Sequence, residues 1–129
     1  MATRGTILVV DDNPDIAALM REVLTEEDYR VLVAQSVADA LVILGAFTVG
    51  LVLTDAFHPA PGAPDDRWSP VETLVRASRG TPLVLCSARN RADYADFAAH
   101  GVAAYLPKPF DLDGLLDVVG ATLPPAAQG

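Results

Sequence analysis

Ile7-Leu8-Val9-Val10-Asp11-Asp12-Asn13-Pro14 joins an apolar run, an acidic pair and a helix-start signal within eight positions. The run is continuous rather than alternating, the pattern of a strand buried on both faces, as in a parallel sheet. Asn13 followed by Pro14 reads as an N-cap and the first helical residue. A strand therefore feeds straight into a helix, with Asp11 and Asp12 in the turn between them. The helix continues through Ile16, Leu19, Met20, Val23 and Leu24, spaced as one apolar stripe.

The same unit recurs along the chain. Further apolar runs occupy residues 31–34, 51–54, 83–86 and 103–106. Between them Val37, Ala40, Leu41 and Leu44 repeat the helical spacing, as do Leu112, Leu115, Leu116 and Val119. Weaker versions run through Val71, Leu74 and Val75, and through Tyr94, Phe97 and Ala98. Ser36 with Asp39 resembles a capping box, and Ser69-Pro70-Val71-Glu72 is a fuller one. Asp111 reads as the cap of the last helix, and Gly101 after His100 as a helix C-terminus. Gly114 and Gly120 each weaken that last helix by about 1 kcal/mol relative to alanine, so packing must hold it. Strictly alternating βα units predict an α/β fold with a doubly wound sheet and right-handed crossovers.

Composition bounds the rest. A length of 129 residues suits one domain with one sizeable core. With 51% hydrophobic and 20% charged residues the chain is globular rather than disordered. We expect a single domain over 1–129, its core at about 6–123, with 124–129 a frayed tail or the start of a linker. No apolar run approaches the roughly 18 residues of a membrane span, and no signal-peptide core is present, so a soluble, cytoplasmic protein is expected. A net charge of −8 argues against direct nucleic-acid binding, which draws on lysine and arginine. The single cysteine, Cys86, lies within an apolar run and reads as a small buried hydrophobe.

Ligands of open α/β sheets bind beyond the carboxyl ends of the strands. Those ends carry Asp11 and Asp12, Asp55, Ser87 and Lys108. Acids in such places are commonly helix caps, but Asn13 already fills that role for the first helix, and a long loop rather than a helix follows Asp55. Carboxylates packed at one edge repel each other. A hard cation with oxygen ligands resolves the conflict, and Mg²⁺ prefers a few carboxylates with waters and phosphate oxygens. A carboxylate can attack phosphorus, and phosphoryl transfer mainly needs positioning and charge neutralisation. A metal ion, Lys108 and the Ser87 hydroxyl would meet those needs.

These residues resemble the receiver domain of two-component response regulators over residues 7 to about 123. The opening strand with its acidic pair, Leu51-Val52-Leu53-Thr54-Asp55, Leu85-Cys86-Ser87-Ala88 and Tyr105-Leu106-Pro107-Lys108-Pro109-Phe110 match four family motifs in order. The resemblance implies a flavodoxin-like (βα)5 sandwich with a parallel sheet in order 2-1-3-4-5. It implies that Asp55 accepts a phosphoryl group from a sensor histidine kinase or phosphotransfer protein, making the chain a signalling switch and an enzyme only toward its own aspartate. Asp12 and Asp55, with the backbone carbonyl of Phe57, would ligate Mg²⁺ (or Mn²⁺), and Asp11 would act through water. Lys108 would pair with the phosphoryl group, and its bond to Pro109 would be cis. Ser87 would turn inward as Tyr105 becomes buried, remodelling the face of the fourth helix, fifth strand and fifth helix where a downstream protein docks. The chain would be a monomer or a phosphorylation-dependent dimer.

Residues 56–68 depart from the family pattern, being several residues longer than its usual short loop, with prolines at 59, 61 and 64 and the extra acids Asp65 and Asp66. A tolerated surface insertion is the plainer reading. Phe57 and Arg89 stand where the family modulates phosphoryl lifetime. His58 reads as a solvated loop histidine, and His100 as a residue favoured by a helix C-terminus. Other readings weighed are a phosphorylation-independent interaction domain, which the complete acid, hydroxyl and lysine set disfavours, and an aspartate-nucleophile phosphohydrolase. The latter wants an acid two positions after the nucleophile, where Phe57 stands. A flavin phosphate would be repelled by the acidic edge.

Overall fold

The computed structural model describes residues 5–55, 68–87, 96–107 and 111–123, with Ser87 described by its backbone. The chain alternates β1 (Gly5–Val10), α1 (Pro14–Glu26), β2 (Tyr29–Ala34), α2 (Val37–Ala46), β3 (Leu51–Asp55), α3 (Ser69–Ser78), β4 (Leu83–Ser87), a 3-10 turn (Phe97–His100), β5 (Ala104–Pro107) and α4 (Leu112–Thr122). All pairings are parallel, and the sheet order is β2-β1-β3-β4-β5, as expected. A weak fourth helix was expected around Tyr94, Phe97 and Ala98; among the described residues that stretch is the 3-10 turn alone. Tyr94 lies outside them.

The continuous apolar strands divide their side chains between two cores. Ile7, Val9, Leu51, Leu53, Val84 and Cys86 meet Ala17, Met20 and Leu24 of α1 and Leu115 and Val119 of α4. Leu8, Val10, Val52, Leu83 and Leu85 meet Ala40 of α2 and Val71 and Leu74 of α3. Strands covered on both faces need no polar alternation, which is why their sequence shows none. Cys86 is 2% exposed, the buried hydrophobe expected of it.

The helix starts follow the sequence with one exception. Asn13 accepts from the amides of Asp15 (3.0 Å) and Ile16 (3.3 Å), Ser36 from Asp39 (3.1 Å), and Asp111 from Gly114. Ser69 was expected to cap α3, yet it is already helical: Trp68 holds the cap position in αR geometry without a side-chain cap bond. Pro70 then stands at the second helical position, where its missing N–H is still one of the helix's unsatisfied donors.

Gly101 closes the 3-10 turn at φ 87°, and a Cβ there would lie 2.7 Å from Val75 Cγ1 of α3. Left-handed backbone and overpacking then add, so Gly101→Ala is expected to cost about 2 kcal/mol or more in urea unfolding.

Candidate functional site

The strand register brings the acids together. Val10 pairs with Thr54, so Asp11, which extends the ladder through its amide to Ala34 (3.0 Å), stands level with Asp55. Asp55 pairs in turn with Cys86, and Ser87 with Pro107. The carboxyl ends of β1, β3, β4 and β5 thus share one edge of the sheet.

Asp11 is 2% exposed, Asp55 half-buried and Asp12 exposed. One ligand oxygen from each of the three lies within 4.8 Å of the others. Unit charges at such spacing repel by about 1 kcal/mol per pair in water and by more where burial lowers the dielectric. A set of hard carboxylate oxygens this close could hold a divalent cation, which relieves that repulsion.

Two hydrogen bonds fix the frame around the acids. Asp11 Oδ1 accepts from the Asn13 amide at 2.9 Å. Asp11 was expected to have no part in starting α1, but it holds the turn into the helix and is itself oriented by it. The buried Thr54 hydroxyl donates to the Asp55 carbonyl at 3.0 Å, where the β3 ladder runs out. Tyr105 is half-buried on β5, its ring 6.4 Å from that of Phe97 and inclined by 25°. Phe57, His58, Arg89, Lys108, Pro109 and the long segment of residues 56–67 lie outside the described residues, as does the Ser87 side chain.

The family model for the response regulator receiver domain matches residues 7–120. The chain belongs to this family. The receiver is 32% identical over 122 residues to the DNA-binding transcriptional regulator NtrC of Rhizobium meliloti (strain 1021), covering 94% of this chain and 24% of that protein. It is 33% identical over 108 residues to the transcriptional regulatory protein CpxR of Klebsiella pneumoniae subsp. pneumoniae, covering 81% of this chain and 43% of that one. The receiver therefore spans less than half the length of these relatives. A CheY-like receiver domain protein from Methanospirillum hungatei JF-1 shares the fold with a TM-score of 0.80, at 22% identity over 95% of this chain and 94% of that one. Among the described residues no helix is long and apolar enough to cross a membrane.

A second polar cluster of the receiver escaped the sequence reading. His100 was assigned to a helix dipole, yet it ends only a four-residue 3-10 turn. Its Nδ1 lies 2.9 Å from Glu72 and its Nε2 3.2 Å from Asp96. These acids hold its pKa above the ordinary histidine value, chiefly through the bond to Glu72. Its ring also stacks on Trp68, centroids 3.9 Å apart and planes within 5°. A spacing of 28 residues between Glu72 and His100 left no local pattern to read.

Proposed function

We propose that Asp55 accepts a phosphoryl group from a phosphohistidine on a sensor histidine kinase or phosphotransfer protein, and that this modification switches the receiver's protein-binding surface. The observation that carries the reading is the gathering of Asp11, Asp12 and Asp55 within 4.8 Å at the ligand-binding edge of a doubly wound sheet. An oxygen of Asp55 attacks phosphorus as the phosphorus–nitrogen bond breaks, and the imidazole nitrogen keeps the electron pair. Asp12 and Asp55, with the Phe57 carbonyl, would hold Mg²⁺ or Mn²⁺, and Asp11, anchored by Asn13, would act through water. When bound, such an ion neutralises charge on the phosphoryl oxygens. Lys108 and the Ser87 hydroxyl would meet the same oxygens, with Phe57 and Arg89 modulating the lifetime of the adduct.

The half-buried Tyr105 beside Phe97 supports a response on the β5 side, where inward movement of the tyrosine would alter the face that receives a downstream protein. We read the chain as a single domain that is a monomer or a phosphorylation-dependent dimer. Its net charge of −8 supports a protein partner rather than direct contact with nucleic acid. On this reading its only catalysis is of its own phosphorylation and dephosphorylation, in the cytoplasm.

Incubation with acetyl phosphate and Mg²⁺, read by intact mass, tests the proposal: one phosphoryl adduct is expected. No adduct with any phosphoryl donor would favour a phosphorylation-independent interaction domain. The cation requirement has its own readout. Asp12→Asn is expected to raise stability without divalent ions by about 2 kcal/mol, because its repulsion with both Asp11 and Asp55 is gone. The same variant should lose most of the rise in melting temperature that Mg²⁺ gives the wild type.

A further inference from the structure

His100 lies between two carboxylates, one at each ring nitrogen. A neutral imidazole carries one N–H and one bare lone pair, so it can satisfy only one of them and turns its lone pair on the other. Only the imidazolium donates to both. The same cation stacks face to face on Trp68, where the ring's negative face favours positive charge. Three partners therefore select one protonation state, and they come from different parts of the chain. Glu72 belongs to the first turn of α3, Trp68 caps that helix, and Asp96 precedes the 3-10 turn.

We propose that His100 is a proton-operated clamp: as an imidazolium it ties the start of α3 to the 3-10 turn before β5, and loss of its proton releases that tie. Among the described residues, the other charged and titratable groups on the surrounding elements do not substitute for it. Arg76 of α3 directs its guanidinium to the Thr73 hydroxyl (3.5 Å). Tyr105 of β5 packs its ring against Phe97. The clamp has a route to the rest of the fold. Phe97, on the same turn, carries the ring that meets Tyr105, and Gly101, the next residue after His100, packs against Val75 of α3. The proposal stands whether or not Asp55 is phosphorylated.

The direction with pH follows from the raised pKa of His100. The tie is complete below the ordinary histidine pKa and is lost as pH rises through the higher value of the folded protein. Trp68 is the only tryptophan, so the tryptophan emission comes from the ring that His100 stacks on. A protonated imidazole stacked on indole quenches its emission. Titration from about pH 5 to about pH 9, spanning the histidine range, is expected to show one rise in emission with a midpoint above the ordinary histidine value. His100→Gln should abolish the transition, Glu72→Gln should lower its midpoint, and His58→Gln should leave it in place. The ring-proton resonance of His100, followed by NMR in the wild type, supplies the same midpoint without a substitution. A wild-type midpoint at or below the ordinary value, or a fluorescence transition that persists in folded His100→Gln, would overturn the clamp.

Discussion

Asp55→Asn is expected to abolish the phosphoryl adduct formed with acetyl phosphate and Mg²⁺ while leaving the fold intact. The amide is nearly isosteric with the carboxylate, but it has no anionic oxygen to attack phosphorus. The backbone around it is held by groups that the substitution does not touch. The Thr54 hydroxyl still donates to the carbonyl of residue 55, and the strand still pairs with Cys86. Removal of one of three clustered charges takes away two repelling pairs and is also expected to stabilise the metal-free protein by about 2 kcal/mol. Loss of the adduct together with a higher melting temperature would separate a chemical role from a structural one. An adduct that persisted in the variant would move the acceptor to Asp11, Asp12 or a residue elsewhere.

Leu53→Ala is expected to cost about 3 to 4 kcal/mol, the loss of a buried leucine plus an unfilled cavity. Leu53 is 1% exposed in a central strand, packed within the core that α1 and α4 cover. Domains of this size are stable by only about 5 to 15 kcal/mol, so the variant should unfold at much lower urea and melt well below the wild type. Its place two residues before Asp55 adds a consequence for the proposed function, because partial opening of β3 also moves that carboxylate. Val42→Ala, at 72% exposure on α2, should shift stability by no more than about 0.5 kcal/mol. Equal costs at the two positions would contradict the core described above.

The sheet was legible because its three central strands, β1, β3 and β4, are buried on both faces and two of them run straight into acids. Ile7 to Val10, followed by Asp11, needs no partner to announce itself. Helix faces were less so. Leu19, Leu41 and Leu112 sit in apolar stripes but are 48%, 38% and 44% exposed. In α2 nearly every residue is apolar, so spacing alone does not say that Ala40 faces inward while Val42 faces out. The cap of α3 was misplaced because Ser69-Pro70 is compatible with both a cap and a first turn. In the site, the three acids were readable from strand ends alone. The bonds that orient them were not, since Asp11 to the Asn13 amide and Thr54 to the Asp55 carbonyl depend on local rotamers rather than on residue type.

Leu123, just beyond α4, is 7% exposed and packs where Gly5 opens β1 and Gly50 precedes β3; a Cβ on either glycine would come within about 3 Å of its side chain. Residues 5 and 123 are thus neighbours at the amino ends of the strands, while the acids occupy the carboxyl ends, a strand length of about 17 to 20 Å away. Chain beyond either residue therefore starts from the pole opposite the acids. On the proposed function, cargo held at that pole would leave Asp55 open to a phosphoryl donor and would sense its modification through the body of the sheet and helices.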